Sequence, residues 1–485
     1  MTTSRTPLLV VGDALLDHDL CGRADRLAPD APVPVVHGTR RSSRPGGAAL
    51  AACLAAADGR PVTLVTALGD DEASGALRAL LAGRVDLIEL PLDGELSSKT
   101  RVLAGDRPLL RLDDGDGRAR EATPRASTAV AAADAVLVAD YGRGTADVLG
   151  EALAQAAARV PVVWDPHVRG GPPVPGVRLC TPSAQEARLL AQRAGLDAEP
   201  GDDAGLRTAA RDARALVRAW RAHAVAVTLG ERGALLSHGE TPLLVPTPAG
   251  VAGDPCGAGD RFAAAAAALL ADGSFTEAAV QGAVHAATRY VAEGGARAAT
   301  APEPHPEPAA GPEPAADTDP AGDQDPTADA RRTAARVRAA GGTVVAAGGC
   351  FDLLHAGHVA LLQAARRAGD CLVVCVNSDA SVRRRKGDGR PLVPVADRVR
   401  VLRALECVDA VAVFDEDTPE RVLGELRPHI WAKGGDYART RLPEQPLVES
   451  WGGQVLLLPY LDGRSTTGLA RRAALAPAPA GGPAR

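Results

Sequence analysis

Three residue types are nearly missing from this chain. Its 485 residues include three lysines (Lys99, Lys386 and Lys433), one asparagine (Asn377) and one methionine, and aromatic side chains make up 2%. Lys and Arg together number 54, so almost all basic charge is arginine, as expected of a GC-rich genome. Under that bias a lysine persists where a compact, rotatable ammonium is needed and a planar guanidinium will not fit. Two of the three precede glycines, in KGDGR and KGGDY, a setting suited to an anion. Basic excess is also lacking: 60 acidic residues give a net charge of −6, which argues against nucleic-acid or anionic-membrane partners. No apolar run reaches the roughly 18 residues of a membrane span, and the Ala-rich stretch from Ala263 to Ala271 is too short. The N-terminal residues meet acidic side chains after a brief apolar run, unlike a signal peptide. The eight cysteines show no CxxC spacing, and Cys371 and Cys375 share one face of an apolar strand. A reduced, cytoplasmic protein is expected.

What is present suggests two folding units. Hydrophobic residues reach 46% and charged residues 24%, enough for more than one core. Residues 299–330 are dominated by Pro, Ala, Glu and Asp with no large apolar residue, and read as a disordered linker. They separate a domain at 1–298 from one at 331–471, and 472–485 reads as a disordered tail. In the first domain PLLVVGD, PVTLVTALG, AVLVAD, VPVVWDP and AVAVTLG are nearly continuous apolar runs, as in strands buried on both faces of a parallel sheet. KTRVL and PLLRLD, either side of Gly105-Asp106-Arg107, read as a hairpin forming a small β-lid. The second domain repeats the α/β rhythm through TVVAAGG, CLVVCVNSD, VDAVAVF, IWAKGGD and QVLLLPY. The fold class is α/β in both.

In the second domain Gly348-Gly349-Cys350-Phe351-Asp352-Leu353-Leu354-His355-Ala356-Gly357-His358 follows a strand and opens a helix. Its two histidines lie three apart on one side of the helix start, where free N–H groups and the helix dipole favour an anion. Half of a metal site and a pair of core histidines are the competing readings; no carboxylate or third histidine stands nearby at ligand spacing. GGCFDLLHAGHVALLQAAR, VNSDASVRRRKGDGRP, DRVRVLRALECVDAV, KGGDY and GRSTT occur in the order of a cytidylyltransferase-like nucleotidyltransferase. They resemble most the adenylyltransferase half of the bifunctional heptose kinase/adenylyltransferases. The resemblance implies a Rossmann-like domain that transfers AMP from ATP to a sugar 1-phosphate and releases pyrophosphate. It casts His355 and His358 as donors to the triphosphate, with Gly349 and Phe351 beside them. Lys386, in the loop after Asp379, and Lys433 would neutralise phosphate, and Ser465, Thr466 and Thr467 would hold it at the start of the last helix.

In the first domain Asp254-Pro255-Cys256-Gly257-Ala258-Gly259-Asp260 precedes an Ala-rich helix. Small residues there expose amides to phosphate, and an aspartate in the first turn can accept a hydroxyl proton. Such a tetrad alone is equally a plain helix start. Together with VVGDALLDHDL, RPGGAALAA, SKTRVL, VADYGRG, DPHVRG and TPSAQEA it resembles a ribokinase-like, PfkB-type sugar kinase, the other half of the same bifunctional family. The resemblance implies that Asp260 is the base and that the amides of Gly257, Ala258 and Gly259 form the anion hole. It also places Asp13, Gly46 and Gly47 at the sugar, Lys99 and Arg111 near the lid, and Glu186 at Mg²⁺ brought with ATP. Leu50, Ser183, Cys256 and His167 depart from the pattern, standing where Asn, Asn, Thr and Lys are usual. The kinase is therefore either retuned or weakened.

The expected whole is a cytoplasmic enzyme of two activities using ATP and heptose phosphates, possessing no metal site of its own and pairing as a homodimer through the kinase lid. One activity phosphorylates heptose 7-phosphate at C1, and the other makes ADP-heptose. Open alternatives are a nucleotidyltransferase with a degenerate kinase domain, a different sugar or nucleotide such as CTP, and a sugar-phosphate sensor.

Overall fold

The computed structural model describes residues 5–105, 107–195, 205–248, 253–298, 325–435 and 442–459. These form two compact units, one holding those up to 239 and from 247 to 298, the other holding 240–246 and those from 325 onward.

In the first unit the apolar runs become strands Leu8–Gly12, Val62–Leu68, Val136–Ala139, Val162–Asp165 and Val225–Thr228. Val10, Leu64, Val136 and Val225 are fully buried, as expected where helices cover both faces. The strands from Val225–Thr228 through Leu179–Cys180, Val162–Asp165, Val136–Ala139, Leu8–Gly12 and Val62–Leu68 to Asp86–Asp93 are adjacent and parallel. Antiparallel strands Ala234–Ser237 and Arg118–Ala119 flank them. This order brings three neighbouring carboxyl ends together, so Asp13, Asp140 and Asp165 emerge side by side.

Over them lies a four-stranded sheet in the order Pro34–Gly47, Ala14–Leu27, Ser98–Ala104, Arg107–Asp114. The expected hairpin supplies the last two strands. The first two, absent from the sequence expectation, are each 14 residues long. They carry Asp17, His18, Asp19 and Arg44, all buried, so no apolar alternation marks them as strands.

Five strands of the second unit run parallel in the order Ala410–Phe414, Cys371–Asn377, Val344–Gly349, Ile430–Gly435, Gln454–Pro459. The order reverses at Val344–Gly349, and in doubly wound sheets a ligand crevice opens at the carboxyl end of such a strand. That end is where GGCFD begins. Cys371 and Cys375 are core residues of one strand, with burial pushing the Cys375 thiol up to about 12.

One boundary differs from expectation. A helix, Pro326–Ala339, starts inside the segment read as linker. Asp325 caps it by accepting from the Thr327 amide, and Ala330 and Ala334 pack into the core, so small alanines rather than large apolar residues make the contact. Residues 299–324 and 472–485 lie outside the described residues. Among the described residues no helix is long and apolar enough to cross a membrane.

Candidate active sites

Asp260 sits in the first turn of the helix Ala258–Ala271. The chain enters that helix through Gly257 at φ 81°, a left-handed conformation that favours glycine. Tyr141 Oη donates to Asp260 Oδ1 at 2.7 Å. Burial pushes the Asp260 carboxyl up to about 6 and Asp17 adds to this, while Tyr141 and Lys99 restrain the rise. A carboxylate so poised can take a hydroxyl proton near neutrality. The Ala258 amide closes a turn onto the Pro255 carbonyl at 3.0 Å, so one of the three amides expected to bind an anion is already engaged.

Tyr141 organises the neighbourhood. Lys99 Nζ lies 5.4 Å from its ring centroid, and the His167 ring stacks on it at 6.0 Å. Burial lowers the Lys99 pKa, offset in part by Asp17 and Asp260. The departure at His167 thus supplies a ring for Tyr141, where a lysine could not stack.

Other expected residues take different positions. The Asp13 carboxylate accepts from the amides of Tyr141 (3.0 Å), Arg143 (2.7 Å) and Thr145 (3.1 Å), so it fastens the loop that carries Tyr141. Gly47 has φ 57°, and a Cβ there would stand 2.6 Å from the Asp13 carbonyl oxygen. A Cβ on Gly46 would press on the Asp17 carboxylate at 3.0 Å. Both glycines therefore serve close backbone packing. Arg111 is exposed and forms a two-point pair with Asp113, at 2.8 and 2.5 Å. Glu186 belongs to a capping box: Ser183 donates to its Oε2 through N–H at 2.9 Å and Oγ at 2.7 Å. Serine in place of asparagine thus makes the best partner for a glutamate three residues on.

Sequence reasoning passed over the charges beneath the lid. Arg44 pairs with Asp19 and lies 3.8 Å from Asp17, all of them buried. Asp140 went unremarked too; burial raises its carboxyl to about 7. Its signal was its place at the end of an apolar strand run.

In the second unit the chain leaves its central strand at Gly349 and turns sharply at Phe351, φ 46°. Phe351 is buried, and its ring packs 5.3 Å from His358. His355 caps the helix Ala356–Arg367, its Nδ1 accepting from the Gly357 amide at 3.1 Å. The two imidazoles stack with centroids 3.8 Å apart. Burial, aided by His355 and Lys386, pushes the His358 pKa down to about 4, so this ring is neutral and can donate one N–H. Lys386 ends the helix Asp379–Lys386 and is not in a loop, because SVRRRK continues the helix begun at the Ser378 cap. Lys433 Nζ pairs with the buried Glu444 at 3.4 Å and lies 5.2 Å from the Trp431 ring centroid. Ser465, Thr466 and Thr467 lie outside the described residues.

Two further residues hold this crevice together. Buried Asp352 accepts from Arg390 (2.6 Å) and from the amides of Leu392 (2.6 Å) and Val393 (3.0 Å). Arg398, 2% exposed, donates to the carbonyls of Cys350, Asn377 and Val393 and to the Asp379 carboxylate. Nothing in the sequence distinguished it from the many other arginines. Among the described residues no group of three or more His, Cys, Asp or Glu side chains could hold a metal ion.

Residues 5–304 match the family model for pfkB family carbohydrate kinases, and residues 346–456 match the cytidylyltransferase-like model. The chain is 66% identical over 472 residues to the bifunctional protein HldE of Streptomyces coelicolor, covering 97% of each. It is 39% identical to that of Azorhizobium caulinodans, covering 97% of this chain and 99% of the relative. Among solved structures, Arabidopsis thaliana ribokinase complexed with ribose and ATP matches 60% of this chain and 93% of its own, at 21% identity and a TM-score of 0.46.

Proposed function

We propose a reaction for each site from the premise that this chain belongs to the family of bifunctional HldE proteins. The first unit is a carbohydrate kinase and the second an adenylyltransferase. Their substrates are read as heptose 7-phosphate with ATP in the first, and heptose 1-phosphate with ATP in the second, giving ADP-heptose and pyrophosphate. The observation that carries the kinase reading is Asp260, held by Tyr141 at 2.7 Å with its carboxyl at about 6.

In the kinase, Asp260 takes the proton of the C1 hydroxyl as that oxygen attacks the terminal phosphorus of ATP, and ADP leaves. The amides at the helix start receive the charge that builds on the moving phosphoryl group. Mg²⁺ enters with ATP as part of that substrate. The Glu186 oxygen outside the capping box is the carboxylate offered to it. Lys99, with its lowered pKa, and the Arg111–Asp113 pair stand at the lid side of the same space. Asp13, Gly46 and Gly47 act on the sugar through the loop and backbone they shape.

In the adenylyltransferase the phosphate of the sugar attacks the α-phosphorus of ATP. Little acid–base work is needed, and positioning with charge neutralisation carries the rate. His355 and the neutral His358 donate to the triphosphate, the Gly349–Phe351 turn gives it room, and Lys386 and Lys433 supply positive charge. Lys433 reaches the phosphate by exchanging Glu444 for it. Ser465, Thr466 and Thr467 complete the phosphate contacts.

The same reading has the protein working in the cytoplasm and pairing as a homodimer through the lid. Support for the pairing is that Leu27, Val33, Leu110 and Leu112, on or beside the lid strands, are exposed. The test is pyrophosphate release by the full-length protein given heptose 1-phosphate and ATP, CTP or GTP in turn. Release with ATP alone is expected; release with another triphosphate, or with none, would overturn the nucleotide assignment.

A further inference from the structure

Tyr290 lies on the helix Thr276–Ala292 and is 7% exposed. Its ring belongs to a small apolar cluster with Leu50, Leu54 and Ala296, against which Cys256 packs. Its hydroxyl is a different matter. Among the described residues Oη has no hydrogen-bond partner although it is buried. A buried, unpaired hydroxyl costs free energy unless something arrives to accept from it.

The place it points to is Gly257. A Cβ on that glycine would stand 2.6 Å from Tyr290 Oη and 2.8 Å from Leu50 Cδ2. The hydroxyl therefore reaches the start of the helix whose amides face the transferring phosphoryl group. Leu50 and Cys256, the two apolar departures of the kinase, line the same spot and provide no strong donor. Burial, strengthened by Cys256 and Asp260, raises the hydroxyl pKa well above its usual value, so Tyr290 keeps its proton and can donate.

We propose that Tyr290 Oη is a further catalytic donor of the kinase site, hydrogen-bonding the phosphoryl group in flight from ATP to the sugar. This rests on the kinase reading of the first unit. The tyrosine supplies, from the neighbouring helix, a hydrogen bond that the chain cannot make from Leu50 or Cys256. No proton is lost from it in the step; Asp260 takes the hydroxyl proton, and the bond to ADP breaks as the bond to the sugar oxygen forms.

Tyr290→Phe removes one oxygen and keeps the ring in its cluster. Two measurements on the full-length protein test the proposal. The first is calorimetric affinity for MgADP and for MgADP with beryllium fluoride, a mimic of the bound phosphoryl group. The variant should bind MgADP like wild type, and the fluoride complex about tenfold more weakly, the loss expected of one hydrogen bond to a charged group. The second is ADP release with heptose 7-phosphate, where kcat should fall about tenfold with the sugar KM unchanged. Equal affinity of wild type and variant for the fluoride complex would overturn the proposal, as would a loss confined to the sugar KM. Failure of wild type to turn over heptose 7-phosphate, with the fluoride affinities still split, would instead strike the substrate reading and leave the donor supported.

Discussion

Tyr141 donates its phenolic hydrogen to Asp260 at 2.7 Å while its backbone amide donates to Asp13 at 3.0 Å. One residue thus links the end of the first strand to the helix Ala258–Ala271, and a change at either end is felt by the Asp260 carboxylate.

Loss of the Tyr141 hydroxyl should shift the pH dependence of the kinase. Asp260 must be ionised to accept a proton, so kcat/KM in the wild type should rise with pH through about 6 and level off above it. Tyr141→Phe removes an interaction that favours the ionised form. The acid limb should therefore move to higher pH, with a larger loss at pH 6 than at pH 8. A parallel profile lowered by the same factor at every pH would show that Tyr141 does not tune the base.

Asp260 should also cost stability. Its folded carboxyl, at about 6, lies above the 3.8 usual for an aspartate. The folded state therefore binds the proton more tightly than the unfolded chain. This group's favourable contribution is full below about pH 4 and is lost as pH rises through 6. Asp260→Asn should melt higher than wild type at pH 7.5, and the gain should vanish near pH 4. Thermal melts at the two pH values decide this; a variant that melts lower at pH 7.5 contradicts it.

Much of this was legible in the sequence, for identifiable reasons. The parallel strands announced themselves as continuous apolar runs, and GGCFDLLHAGH and DPCGAGD marked helix starts with glycine and a reactive side chain. The lid strands Ala14–Leu27 and Pro34–Gly47 stayed hidden because their buried faces carry Asp17, Asp19 and Arg44 in place of aliphatic residues. Ser183, three residues before Glu186, spells in the sequence the capping box that engages one oxygen of that glutamate. The duty of Asp13 depends on amides from a loop over 120 residues away, which no local pattern records. Tyr290 was invisible for the same reason, since only the folded chain sets it beside Gly257.

Arg398 should prove the structural centre of the second unit. Its guanidinium serves three carbonyls and a carboxylate from three separate stretches of chain. Arg398→Met removes the donor to three carbonyls and to the partly exposed Asp379 carboxylate, and should cost about 3 kcal/mol, as several hydrogen bonds to a charged group are lost. Lysine, with a single nitrogen, should restore little. Denaturant unfolding of the full-length protein should show the loss, with kinase turnover unchanged. A variant as stable as wild type would remove Arg398 from this role.

The most direct test of two independent sites is a paired measurement on one full-length protein, reading ADP release with heptose 7-phosphate and pyrophosphate release with heptose 1-phosphate. Asp260→Asn should abolish the first and spare the second. His358→Ala should lower the second by about 10²-fold, as for loss of one donor to a charge-bearing group, and spare the first. If either substitution lowers both activities equally, the account of two separate sites is wrong.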